Sequence, residues 1–154
     1  MQSTHAEFKR EIHDLDIVVF CDALESPANI GGVLRLADAF GVSQVIFFEG
    51  LNSLSTRSKS VSRGTQKIVN YSFLSDYQFD EREWFCLELT SSSIPLKQYK
   101  LKSNKVGVII GNENKGVRDL FLKRFCSYHI NMFGYNSSMN VINALSGALF
   151  HLTN

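Results

Sequence analysis

Short apolar, β-branched runs recur along the chain at Ile17–Phe20, Val45–Phe48, Ile68–Tyr71, Trp84–Leu87, Val106–Ile110 and, more faintly, Tyr128–Asn131. Runs without polar alternation suit strands covered on both faces, as in a parallel sheet. Helical patterns lie between them. From Ile30 to Phe40, Val33, Leu34, Ala37 and Phe40 share one stripe, and Gly41 follows as a stop signal. Val117–Phe125 and Met139–Leu152 repeat the pattern. Strands alternating with helices predict an α/β domain with a mostly parallel sheet, flanking helices and right-handed crossovers. Residues 51–66, rich in serine and holding Gly64, predict a long loop or frayed helix. Connections of that length are commonly functional.

The run Val106–Ile110 leads into a glycine-bounded turn, Gly111-Asn112-Glu113-Asn114-Lys115-Gly116. Four residues between glycines is the spacing of a phosphate-binding P-loop. That loop needs Lys and then Ser or Thr directly after the second glycine. Here those positions hold Val117 and Arg118, and Glu113 would set a carboxylate against polyphosphate. Triphosphate binding is therefore excluded. A turn at the carboxyl end of a strand still sits where open α/β sheets bind ligands, and its backbone can recognise an uncharged or cationic one. Without a ligand, Glu113 would simply face water.

At 154 residues the chain is one domain, able to bury roughly two-thirds of its unfolded surface. Its 44% hydrophobic and 20% charged residues fit a soluble globular protein, and no segment approaches the ~20 apolar residues of a membrane span. The opening residues 1–10 lack an apolar signal core. Cys21, Cys86 and Cys126 are far apart in apolar contexts and read as reduced core thiols, with neither disulfide nor zinc spacing. A cytoplasmic location is expected. The net charge of +1 hides a pattern: residues 50–75 carry Arg57, Lys59, Arg63 and Lys67 with no acid, and residues 89–112 carry Lys97, Lys100, Lys102 and Lys105 with none. Two solvated loops would explain each run alone; together they suggest one local face for a polyanion.

Two further stretches stand out. In Ser26-Pro27-Ala28-Asn29-Ile30-Gly31-Gly32, Asn29 is a suitable N-cap, the glycines permit close backbone approach, and Arg35 follows on the helix. The dinucleotide fingerprint Gly-x-Gly-x-x-Gly is absent. In Ile130–Asn140, Ser137 or Ser138 could cap the last helix, whose Ala144, Gly147 and Ala148 allow very close packing.

Taken in order, these stretches resemble the three motifs of the SpoU/TrmH family, the 2′-O-ribose RNA methyltransferases of the SPOUT superfamily. Asn29-x-Gly31-x-x-x-Arg35 followed by Leu36–Gly41 is similar to motif one, Gly111–Gly116 to motif two, and Ile130-x-Met132-x-Gly134 with Ser138-Met139-Asn140-Val141 to motif three. Ser62-Arg63-Gly64-Thr65 resembles the family's serine–glycine segment. Asn131 stands where the family usually has proline, and Met139 where it has leucine, a volume-conserving exchange.

The resemblance spans about residues 16–152 and implies a single methyltransferase domain over 1–154 without a separate RNA-binding domain. It also implies a deep C-terminal trefoil knot, a homodimer and S-adenosylmethionine as methyl donor, with no metal required. Leu89, Thr90, Gly111, Asn112, Gly116, Ile130, Met132, Ser138 and Met139 are the implied donor-binding positions. Arg35 is the implied catalytic arginine, with Asn29, Glu113, Ser138 and Asn140 orienting it, the ribose and the knot. Arg57, Lys59, Arg63 and Lys67 are assigned to RNA, and tRNA is favoured over rRNA as acceptor. The alternatives are a catalytically weak RNA- or protein-binding member that kept the fold, and a small-molecule α/β enzyme using a nucleotide. The last helix, with Val141, Ile142, Leu145 and Leu149, carries more apolar surface than one thin domain readily covers, which also favours an isologous dimer.

Overall fold

The computed structural model describes Lys9 and residues 11–154. The opening residues 1–10, read for a signal segment, lie outside that range apart from Lys9. Seven strands form one sheet: β1 (Asp16–Asp22), β2 (Gln44–Phe48), β3 (Tyr71–Leu74), β4 (Glu83–Leu87), β5 (Ile94–Pro95), β6 (Lys105–Ile110) and β7 (Cys126–His129). Their order is β3-β2-β1-β6-β4-β7-β5, and every pairing is parallel. The helices are α1 (Pro27–Ala39), α2 (Thr56–Ser62), α3 (Asp119–Leu122) and α4 (Val141–Thr153), with short 3-10 turns at Thr65–Lys67 and Leu96–Gln98. Among the described residues no helix is long and apolar enough to cross a membrane.

The predicted parallel sheet is present, and its two faces are covered differently. Successive strand residues point to opposite faces. In β1, Ile17, Val19 and Cys21 meet Val33, Leu34 and Ala37 of α1 and Leu145, Ala148 and Leu149 of α4. Val18 and Phe20 face the other way, into an aromatic cluster with Trp84, Phe121, Tyr77 and Phe79. Phe20 lies 5.0 Å from the Phe79 ring and 5.3 Å from Phe121. Helices seal one face; a one-turn helix and a loop of rings seal the other.

Several local expectations shift. The strand expected at Ile68–Tyr71 forms at Tyr71–Leu74, because a 3-10 turn occupies Thr65–Lys67 and leaves Ile68 71% exposed. The last strand begins two residues early, at Cys126, which pairs with Phe85. Residues 51–66 do contain a helix, α2. Cys21 and Cys86 are buried as expected, with burial pushing the Cys86 thiol up to about 12, but Cys126 is exposed. The apolar residues of α4 also differ from expectation: Leu145, Ala148 and Leu149 lie in the chain's own core, leaving Phe150 as the large exposed ring of that helix.

Candidate functional site

A cavity of about 540 Å³ opens at the carboxyl ends of β4, β6 and β7. Its first wall is the exit of β4, with Leu89 and Thr90; its second is the glycine-bounded turn after β6, with Gly111, Asn112 and Gly116. Ile130 and Met132 follow β7, and Ser138 and Met139 close the cavity ahead of α4. All nine positions assigned to the methyl donor therefore share one cavity, although they come from segments up to fifty residues apart in sequence. This is the strand end at which parallel sheets place ligands.

The turn after β6 is held from every side. Asn112 and Gly116 exchange backbone hydrogen bonds of 3.1 and 2.9 Å. A Cβ on Gly111 would lie 2.1 Å from the Gly116 carbonyl carbon, and Gly116 has φ +68°, so both positions need glycine. Asn112 Nδ2 donates to the Ala23 carbonyl (2.7 Å), while its Oδ1 accepts from the amides of Asn114 and Lys115. Just beyond, Arg118 reaches the wholly buried Asp22 at the end of β1. Its amide donates to Oδ2 (2.9 Å) and its Nε to Oδ1 (2.7 Å). Nη2 is 2.6 Å from the same oxygen without good hydrogen-bond geometry, so the Nε contact carries the pair. The guanidinium lies 5.4 Å from both the Phe48 and Phe121 rings. Arg118 fails as a phosphate ligand because it locks the turn to β1.

Glu113 does not face water. Its Oε1 accepts from the Ser26 amide and from Asn29 Nδ2, both at 2.9 Å, and its Oε2 accepts from the Glu25 amide at 3.2 Å. Partial burial raises its pKa, but the hydrogen bonds from Asn29 and the backbone amides outweigh it and hold the carboxyl below its ordinary range. Asn29 Oδ1 in turn accepts from Asn140 Nδ2 (3.4 Å), and Asn140 Oδ1 accepts from the Ile142 amide (2.8 Å). One residue from each of the three motifs thus joins a continuous hydrogen-bonded line. The caps differ from expectation: Ser26, not Asn29, caps α1, and Asn140, not Ser137 or Ser138, caps α4. Asn29 sits three positions into its helix with its side chain free to bridge. Ser138 lines the cavity but bonds only to Asn136.

Arg35 stands apart. It is exposed, outside the cavity lining, and has no charge or hydrogen-bond partner among the described residues. Its direction follows from helix geometry. A Cβ on Gly31 would meet Ser58 O of α2 at 2.4 Å, and one on Gly32 would meet Ile142 of α4 at 3.2 Å. At about 100° per residue, Arg35 projects between those two directions. It therefore marks the notch between α2 and the start of α4. Arg57, Lys59, Arg63 and Lys67 are all exposed on α2 and the turn after it. Half of the second basic run does not join them: Lys105 opens β6, and the Lys102 amide bonds to Glu83 at the start of β4, so both lie at the amino ends of the strands, opposite the cavity. Lys97 lies elsewhere, in the 3-10 turn after β5.

Sequence reasoning missed Glu88, Asp22, Arg118 and Ser26. Glu88 stands among other acidic residues of the segment 76–88, and no local signal separates it from them.

The geometry has a counterpart among known proteins. The SpoU rRNA Methylase family profile matches residues 16–150. The chain is 25% identical over 143 residues to the 23S rRNA (guanosine(2553)-2′-O)-methyltransferase RlmP of Bacillus subtilis, covering 88% of this chain and 57% of that protein. It is 28% identical over 148 residues to the 23S rRNA (guanosine-2′-O-)-methyltransferase RlmB of Salmonella typhi, covering 90% and 60%. The chain thus spans under two-thirds of either relative's length. Its fold matches the AdoMet-bound rRNA methyltransferase from Sinorhizobium meliloti with TM-score 0.79 at 21% identity, over 91% of this chain and 57% of that one. It also matches the A. aeolicus TrmH/SpoU tRNA modifying enzyme with TM-score 0.79 at 20% identity, over 90% and 74%. With a profile match across nearly its whole length and the same fold in solved members, the chain belongs to the SpoU rRNA Methylase family.

Proposed function

We propose that this chain transfers a methyl group from S-adenosylmethionine to a ribose 2′-hydroxyl of RNA. The observation that carries the reading is the line Glu113–Asn29–Asn140, which couples the cavity wall to the helix bearing Arg35. The cavity suits the donor: its volume lies within the ~300–1,000 Å³ of small-molecule sites, and its walls present backbone groups and carboxylates suited to a cation. Leu89, Thr90, Gly111, Asn112, Gly116, Ile130, Met132, Ser138 and Met139 would hold it. When bound, the donor supplies an electrophilic methyl on a sulfonium; a new O–CH₃ bond forms as the S–CH₃ bond breaks, and the hydroxyl proton leaves to solvent.

The protein's share is positioning and charge. Arg35 has no acceptor lone pair while protonated, so it serves as a fixed cation beside an RNA phosphate and the developing oxyanion. Asn29, Glu113 and Asn140 orient the surrounding segments, Ser138 faces the donor and ribose from the cavity wall, and Arg57, Lys59, Arg63 and Lys67 supply a sequence-independent phosphate grip. Residues 1–154 act in this reading as one methyltransferase unit. It also includes the C-terminal trefoil knot that the family resemblance implies, with which the strand order is compatible. β6 lies on one side of β4 and β7 on the other, so the chain between them must cross over. A homodimer completes it, with Phe150 and the loop rings Phe133 and Tyr135, 61%, 96% and 110% exposed, as the apolar surface available to a second copy. Sedimentation at micromolar concentration should give twice the monomer mass; a clean monomer removes the dimer.

The deciding experiment pairs calorimetry with S-adenosylmethionine, S-adenosylhomocysteine, ATP and NAD with 2′-O-methyl mapping of tRNA and rRNA from cells with and without the protein. Donor and product should bind, ATP and NAD should not, and one site should lose its methyl group. Saturable ATP binding without donor binding sinks the reading, and RNA binding without donor binding points to a binding protein on the same fold. The map also separates tRNA, expected from the sequence, from the rRNA in the names of RlmP and RlmB.

A further inference from the structure

Three carboxylates and one ammonium line the cavity: Glu88, Glu113, Asp119 and Lys115. Glu113 is committed to the amino end of α1, and Asp119 is exposed at the start of α3. Glu88 is different. Its amide bonds to the Tyr128 carbonyl (2.9 Å), extending the β4–β7 ladder and fixing its backbone at the cavity floor. Its Oε1 accepts from the Leu89 amide (3.1 Å) and its Oε2 from the Val117 amide (2.9 Å), bridging the first two walls. A Cβ on Gly116 would stand 2.5 Å from Oε2, so the second glycine of the turn makes room for this carboxylate. Both hydrogen-bond donors are neutral amides, and no lysine or arginine pairs with Glu88 among the described residues. A half-buried carboxylate is thus held in place, with a spare lone pair on each oxygen and no counter-cation.

We infer that Glu88 selects ligands of this cavity by charge, favouring the cationic sulfonium donor over the neutral thioether left after methyl transfer. The inference rests on the donor reading above and deepens it. A fixed anion in a partly desolvated cavity discriminates between ligands that differ by one charge at a single atom and are otherwise nearly alike. Transfer removes that positive charge, so the carboxylate loosens the product relative to the next donor. The same charge opposes polyphosphate.

The test is titration of S-adenosylmethionine, sinefungin (an amine-bearing, cationic analogue) and S-adenosylhomocysteine against the full chain and its Glu88→Gln and Glu88→Asp variants. Glu88→Gln keeps an acceptor for the Val117 amide and removes the charge. It should weaken both cationic ligands about tenfold and leave the neutral product within about twofold. Glu88→Asp keeps the charge on a shorter arm, so all three affinities should fall together with the cation preference retained. A uniform loss in Glu88→Gln, or no loss, overturns the inference and leaves Glu88 a strut between two walls. If Glu88→Gln does not fold, a folded Glu88→Asp that loses the cation preference overturns it equally. Wild-type protein that binds none of the three fails the donor reading itself, and the inference with it.

Discussion

The turn Gly111–Arg118 and the α2–Arg35 notch lie on either side of the Asn29–Asn140 contact, and they are built on opposite principles. In the turn three side chains are tied to distant segments: Asn112 to Ala23, Glu113 to Asn29 and Arg118 to Asp22. In the notch, Arg35, Arg57, Lys59, Arg63 and Lys67 form no ion pair among the described residues. A wall that must hold a small ligand is preorganised by buried interactions, because any slack costs binding. A face that must accept a polyanion leaves its cations solvated, because a paired cation would first have to break an existing contact. The two regions should respond to substitution in different currencies, stability on one side and salt-sensitive binding on the other.

The largest effect is expected at Arg118. Arg118→Met strands the fully buried Asp22 and should cost about 3 kcal/mol, the low end for breaking a buried pair since the Arg118 side chain is 36% exposed. Denaturant unfolding measures the cost, and adding Asp22→Asn should recover part of it. Full stability in the single variant would mean the turn is not held by this pair.

Arg35→Lys should leave the fold and donor affinity intact while single-turnover methyl transfer at saturating RNA falls about a hundredfold, as for loss of an oxyanion donor. A near-normal rate would remove Arg35 from catalysis and leave it an ordinary surface cation. The contrast with Arg118 would then be sharp: Arg118 is tied to the buried Asp22, and the proposal gives Arg35 the chemistry.

Glu113→Gln should cost about 1–2 kcal/mol, since the amide nitrogen faces the Glu25 amide donor-to-donor. The pH dependence has a definite sign. The folded-state pKa of Glu113 lies below its ordinary 4.5, so its stabilisation is complete above that value and disappears as pH falls through the folded pKa. The stability gap between wild type and Glu113→Gln should therefore be constant from neutral pH to about 5 and close in stronger acid. A gap that widens in acid contradicts the assignment.

The smallest effect is expected on α2 and the turn after it. Arg63→Ala or Lys67→Ala should each weaken RNA binding a few-fold, lower the slope of log affinity against log salt by about one, and spare the chemical step. Substituting Lys102 or Lys105, at the far end of the strands, should leave RNA affinity unchanged and so confirm which basic run is the contact face.

Much of this was legible in the chain. β1, β2, β4 and β6 are continuous apolar runs, and a strand buried on both faces has no other pattern to show. The positions assigned to the donor, read by resemblance from three separated motifs, line one cavity. Elements failed where a distant partner took a local group. The helix expected at Val117–Phe125 forms at Asp119–Leu122; it starts late because the amides of Val117 and Arg118 are used by Glu88 and Asp22, with Arg118 extended. Asn29 reads as a cap because it is a good one, yet Ser26 caps the helix and releases Asn29 to join Glu113 to Asn140.

By itself, then, the sequence determined the alternation of strands and helices apart from the two-residue β5, the glycines of the turn and the three motifs, since periodicity and backbone freedom are properties of neighbouring residues. Only the tertiary structure decided that Arg118 belongs to Asp22, ninety-six positions away, and Glu113 to Asn29, eighty-four away. It alone placed the inner face of α4 in the core and Glu88 at the cavity floor without a counter-cation. The energy of a charge or an apolar side chain depends on what surrounds it in space, and for these residues the surroundings come from strands and helices far along the chain.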